Sequence, residues 1–162
     1  MRPLCRPLTV TGTNLLGLVK HVATVEARYF GEVFGRPSPE PLPRWQDSDG
    51  SDQWAAADET RDQIIGFYRR TWAHSDATIN ELALGAPDHV PWWPEPHADT
   101  NLFAIMVHVL GETIHHADIL REGLDGRTGL RAEQEEPLNE EARAAHCAKI
   151  EQAARSAAPI RG

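Results

Sequence analysis

Hydrophobic positions along this chain recur at three- and four-residue steps in three separate stretches, and a fourth stretch also reads as a helix. In the first, Leu15, Leu18, Val22, Val25, Tyr29 and Val33 share one face, which predicts a helix from about Thr13 to Phe34. Thr11 or Thr13 is the expected N-cap, and Gly35-Arg36-Pro37 the stop. In the second, Ile64, Phe67, Tyr68, Thr71, Trp72, Ile79 and Leu82 form a stripe on a helix from Ala55 or Asp58 to Leu84, ended by Gly85-Ala86-Pro87. The third runs from about Asn101 to Gly123, capped by Asp99 or Thr100, with Leu102, Ile105, Met106, Val109, Thr113 and Ile119 as its apolar positions. The fourth, Asn139 to Ala157, is rich in Ala, Glu and Arg and reads as a surface-packed helix.

The intervening stretches carry loop chemistry. Residues 36–53 place Pro37, Pro39, Pro41 and Pro43 ahead of Asp47-Ser48-Asp49-Gly50. Residues 88–99 are broken by proline and rich in aromatics, including Trp92 and Trp93. They suit either a hydrophobic plug at the end of a bundle or a lid over a site. Residues 124–130 read as a turn, and no stretch alternates as a strand does. The expected fold is therefore all-α, a helix bundle forming one domain over residues 1–162.

Composition narrows the function classes. A chain of 162 residues can bury about two-thirds of its unfolded surface and needs no disulfide framework. Cys5 and Cys147 share no motif, so reduced thiols in the cytosol are expected. Met1–Val10 lacks the apolar run of a signal peptide, and no window reaches 18 uninterrupted apolar residues. A net charge of -8 without a basic cluster argues against nucleic-acid binding. The scarcity of Lys beside Arg, with an Ala-rich C-terminal part, suggests a GC-rich genome. Eight His and five Trp are high for this length and direct attention to a site.

The richest stretch is His108-Val-Leu-Gly-Glu112-Thr-Ile-His115-His116-Ala-Asp118. Helical residues four apart stand roughly 5–6 Å apart at Cβ, so Glu112 and His116 point into one space. Their stripe also carries Ile105 and Ile119, an inward face on which a carboxylate needs a partner or a metal. Carboxylate and imidazole are ligands for zinc, nickel, iron or manganese. Spacing alone also fits a solvated ion pair. His21, between Leu18 and Val25 on the first helix, is the candidate third ligand. Three protein ligands leave positions open, as catalytic sites require. His115 points about 100° away from His116, so only one of the two can bind, and spacing from Glu112 favours His116. His108 reads as a partner behind the ligands or as a satisfied core histidine. His74, His89, His97 and His146 read as solvated. Serine-nucleophile elbows, phosphate loops, Cys-x-x-Cys and His-Glu-x-x-His are all absent.

Asn14-Leu-Leu-Gly-Leu-Val-Lys-His21-Val-Ala-Thr-Val-Glu26 resembles the second helix of the DinB/YfiT-like superfamily. Asn101–His108, His116–Gly126, Gly129-Leu-Arg and Ala145–Ala154 resemble its actinobacterial mini-circle/DinB-like branch. The resemblance implies a DinB-like four-helix bundle holding a metal on His21, Glu112 and His116. Many relatives carry His at the position of Glu112. The His, Glu, His set is similar to the N-terminal domains of mycothiol-dependent maleylpyruvate isomerases, where the metal is zinc. It implies activation of a thiol, mycothiol in actinobacteria, as thiolate. Trp92, Trp93 and Arg121 are then candidate pocket elements. Only Met1–Thr13 precede the first helix, where the family carries a further helix. The bundle is expected to lack that helix, to gain a C-terminal one, to expose apolar surface on the first helix, and to form a homodimer.

Three functions fit these expectations. The leading one is a thiol-dependent transferase or isomerase acting on a small molecule. The others are a metal-dependent hydrolase using metal-bound water and a non-enzymatic, stress-related metal-binding dimer.

Overall fold

A computed structural model describes residues 7, 12–43, 51–124 and 140–156, with side chains throughout except at 119–124. Thr11, Asp47–Gly50 and most of the 124–130 turn lie outside these residues. Helix α1 spans Leu15–Glu26 and continues directly into a π-helical turn over Ala27–Glu32. Asn14, not Thr11 or Thr13, caps α1: its side-chain oxygen accepts the Gly17 N–H at 2.7 Å and the Ala55 N–H at 3.3 Å. Gly35, at φ +63°, ends the segment in the left-handed region, as its glycine suggests.

Helix α2 spans Arg61–Glu81 and begins later than the pattern suggests. Thr60 and Gln63 form a reciprocal capping box, a stronger start signal than Ala55 or Asp58 offers. Its buried residues are Ile64, Thr71, Ser75 and Thr78. Trp72, placed on the inward stripe by the sequence pattern, is 54% exposed and stacks on Tyr68. Small polar residues let α2 approach α1 closely where an indole would hold it away.

Two short strands interrupt the expected loop. β1 (Pro87–His89) pairs antiparallel with β2 (Asp99–Asn101), with Asp88 opposite Thr100. Three residues a side are too few to show alternation in sequence. The ladder closes a compact loop in which Val90 and Ala98 are fully buried, and Val90 N–H donates to the Ala98 carbonyl at 2.9 Å. Helix α3 follows at once, Leu102–Leu124. Its first N–H groups donate to the Ala86 and Leu84 carbonyls, and Asn101 Oδ1 takes the Ala104 N–H at 3.0 Å. Helix α4 is Glu140–Ser156.

α1 is the hub. α2 packs along it and along its π-helical extension, and α3 packs on the same two segments from another side. The larger core joins Val25, Tyr29, Phe30 and Val33 to Val90, Leu102, Ile105 and Val109. A smaller one joins Leu16, Ala55, Ile64 and Ala154, so α4 closes the amino-terminal end of α1. Gly17 passes so near the Gln53–Trp54 backbone that a Cβ would stand 2.0 Å from the Gln53 carbonyl oxygen. The expected exposed apolar surface on α1 is therefore not there. α1 buries Leu16, Leu18, Ala23 and Val25.

Asn14 joins the start of α1 to the 51–60 loop through two backbone N–H groups. Asn14→Ala leaves both buried donors unmet, and a loss of about 2 kcal/mol is expected. Urea unfolding should show the midpoint falling at unchanged slope.

Candidate metal centre

His21 lies midway along α1, on the side that faces α3. Its Nδ1 is 2.5 Å from Asp52 Oδ2, and both side chains are nearly enclosed. A carboxylate only accepts, so Nδ1–H donates to it, and in the neutral ring Nε2 keeps its lone pair. A buried carboxylate behind an imidazole is the arrangement that orients metal-binding histidines and raises their basicity. Asp52 is four per cent exposed and lies 31 residues from His21 in sequence. No spacing signal connects the two, and the sequence reading missed it inside an anticipated loop.

The rings of His21 and His116 meet edge to face with centroids 4.4 Å apart. His116, and not His115, is therefore the histidine of α3 set against α1. The His115 ring stands 5.4 Å from that of His116. His116 Nδ1 is buried with no hydrogen-bond partner, and Nε2 stands 3.7 Å from Glu112 Oε2, beyond hydrogen-bond reach. Burial, with the nearby His21 and His115 adding to it, pushes the His116 pKa down to about 4. A neutral imidazole with an unmatched buried nitrogen fits a metal ligand.

Glu112 lies one turn before His116 and one turn after His108, with Oε1 4.0 Å from His108 Nε2. It is the most open of the set, 39% exposed at the side chain. Among the described residues no three His, Cys, Asp or Glu side chains converge as a ready-made metal group. The donors fit zinc-type chemistry in kind, two imidazoles and one carboxylate, with Glu112 the side chain that has room to turn.

His108 is turned elsewhere. The Tyr29 hydroxyl lies 2.9 Å from Trp93 Nε1, 3.2 Å from Trp92 Nε1 and 3.0 Å from His108 Nε2. Indole N–H groups only donate, so they occupy both hydroxyl lone pairs, and the O–H proton goes to His108 Nε2. That nitrogen is therefore an acceptor engaged with Tyr29. Trp93 packs on the core while Trp92 is 37% exposed, so the aromatic loop is plug and outer wall at once. Tyr29 escaped the sequence reading because its place on the apolar stripe explains it fully.

The side chain of Arg121 is outside those described. His74 is not a solvated histidine: it is half-buried with Nε2 2.8 Å from the Arg36 carbonyl oxygen. His146 is also half-buried, its ring edge-on to Trp54.

Residues 2–126 match the family model described as mycothiol-S-transferase. The matched range includes His21, Asp52, Glu112 and His116 and stops before α4. No curated protein and no solved structure matches the chain. Among the described residues no helix is long and apolar enough to cross a membrane.

The depressed pKa of His116 carries a stability consequence. The unfolded chain takes up the proton near pH 6.5, the folded chain only near 4. The contribution of neutral His116 is thus complete above about pH 6.5 and drains away as pH falls toward 4. For metal-free protein, unfolding titrations at pH 7 and pH 4.5 should differ by on the order of 2 kcal/mol more in the parent chain than in His116→Gln. Identical pH slopes in the two would remove this assignment.

Proposed function

The chain belongs to the mycothiol-S-transferase family, and from that premise we propose that it is a metal-dependent thiol transferase whose centre is His21, Glu112 and His116. The observation that carries the reading is the Asp52–His21–His116 array. It brings together two imidazoles from different helices, one fixed from behind and one with an unmatched buried nitrogen. A bound divalent ion, zinc by the donor set, supplies Lewis acidity that lowers the pKa of a low-molecular-weight thiol, mycothiol in this reading.

The protein's own residues perform the remaining tasks. Asp52 holds the His21 proton on Nδ1 and so presents Nε2. The low pKa of His116 keeps its ring neutral at every physiological pH. Glu112 adds the single negative charge of the set, which offsets part of the cation's charge. Tyr29 pins both indoles, so the Trp92–Trp93 loop stands as a fixed wall on the His108 side. The acceptor is a small electrophile: the sulfur forms a bond to its electrophilic carbon, the bond from that carbon to the leaving group breaks with the leaving group taking the electron pair, and the thiol proton is released to solvent. The reading assigns this chemistry to the cytosol, where thiols are kept reduced.

Conjugation of mycothiol to a chromogenic electrophile should proceed with the metal-loaded protein and fall to the uncatalysed rate after chelation. Metal analysis should give one ion per chain. His21→Ala and His116→Ala should lose both ion and activity. Asp52→Asn should weaken metal affinity some 10- to 100-fold while the fold is kept. A rate unchanged by chelation sinks the proposal, and activity that persists without any thiol points instead to hydrolysis.

A further inference from the structure

A second cluster of polar side chains sits where α1 passes into its π-helical turn, and the chemistry proposed above makes no use of it. Glu26 is the last residue of α1. It lies five residues beyond His21, which turns it about 140° round the helix, away from the metal centre and toward α2. Ser75, Asp76 and Tyr68 of α2 are near enough to act on its carboxyl or to feel its charge. Trp72 shares their side of α2, is exposed, and stacks on Tyr68 with ring centroids 6.0 Å apart.

These groups do not satisfy one another. Burial pushes the Glu26 pKa up, the Ser75 hydroxyl offsets part of the rise, and the like charge of Asp76 adds to it. Burial also raises the Tyr68 pKa, with the Glu26 charge adding to it. Ser75 is 1% exposed, and its Oγ has no hydrogen-bond partner among the described residues. It lies against Glu26 without the alignment of a bond. Lys20 and His21, farther back on α1, each meet a carboxylate. Among the described residues neither Glu26 nor Asp76 meets a basic side chain. Two carboxylates held together at a half-buried position repel each other unless a positive group joins them.

From this convergence we infer that Glu26, Ser75 and Asp76 bind the ammonium head of a primary amine, whose apolar body lies on Trp72. The match is one of count and of shape. A primary ammonium has three N–H donors, and three side chains here supply acceptor oxygens. The exposed indole offers a face that attracts cations and covers an apolar body. A hard divalent ion fits less well. It takes roughly six to eight oxygen ligands, and among the described residues no three His, Cys, Asp or Glu side chains converge.

Calorimetric titration of the full chain with phenethylammonium, after chelation, tests this site apart from the metal chemistry. One saturable site per chain is expected. Asp76→Asn, at an exposed position that the fold does not depend on, should weaken binding about tenfold, and Glu26→Gln by at least as much. Trp72→Ala should weaken it too. Phe103→Ala, on the exposed face of α3, should bind as the parent does. Phenylethanol, of the same shape without the charge, should not compete. The inference is overturned if no saturable binding is seen, or if phenylethanol binds equally well. It is also overturned if both carboxylate variants bind like the parent, or if magnesium or calcium displaces the amine.

Discussion

Burial of α1 on nearly every side is the constraint from which the rest of this structure follows. A helix wrapped by α2, α3, α4 and the 51–60 loop has no solvent to satisfy its polar side chains, so each must find a protein partner. The Lys20 ammonium meets Glu59 at 2.7 Å, the Thr24 hydroxyl donates to the Lys20 carbonyl at 2.9 Å, and His21 meets Asp52. Asn14 ties down Gly17 and Ala55 together. The partners come largely from one loop, and that loop can lie against α1 because Gly17 has no side chain to hold it off. The hidden histidine and its orienting carboxylate thus come from the same packing that stabilises the hub.

Tyr29 extends that logic to the other side of the site. Its ring is in the core, and its hydroxyl has one donor and two acceptor positions to satisfy. Two tryptophans and one histidine fill them, which fixes the aromatic loop, the His108 tautomer and the helix–helix spacing at a single atom. Tyr29 sits in the π-helical turn, a local widening found often near functional sites. His108 is thereby kept one contact away from Glu112 without competing for its place.

Much of the fold was legible because helix-forming stretches with apolar stripes are a long-range-independent signal: Leu18, Val25, Tyr29 and Val33 are buried as their spacing requires, as are Leu102, Ile105 and Val109. Helix starts were less legible. Asn14 and Thr60 win over nearby Thr and Asp candidates through contacts to Ala55 and Gln63 that only the folded chain defines. Trp72 was misplaced because periodicity records which residues share a face and not how closely the facing helix comes. In the candidate site, His21, Glu112 and His116 are legible from helical position and residue type. Asp52 is not, since a loop carboxylate 31 residues from its histidine leaves no pattern. Which of His115 and His116 is set against α1 depends on the direction of α3, which the ring contact of His116 with His21 shows.

α3 shows why one apolar period does not imply one buried face. Its sequence supports two stripes, one through Leu102, Ile105 and Val109 and one through Phe103, Val107, Leu110 and Ile114. The first is selected by the fold of the single chain, because it continues into the residues that must face His21. Glu112 and His116 lie along the inward side, so any rotation of α3 that buried the second stripe would carry both away from α1. The helix is therefore held in its rotation by Tyr29–His108 at one level and His21–His116 at another. Its remaining apolar face is left over by geometry and not by lack of hydrophobicity.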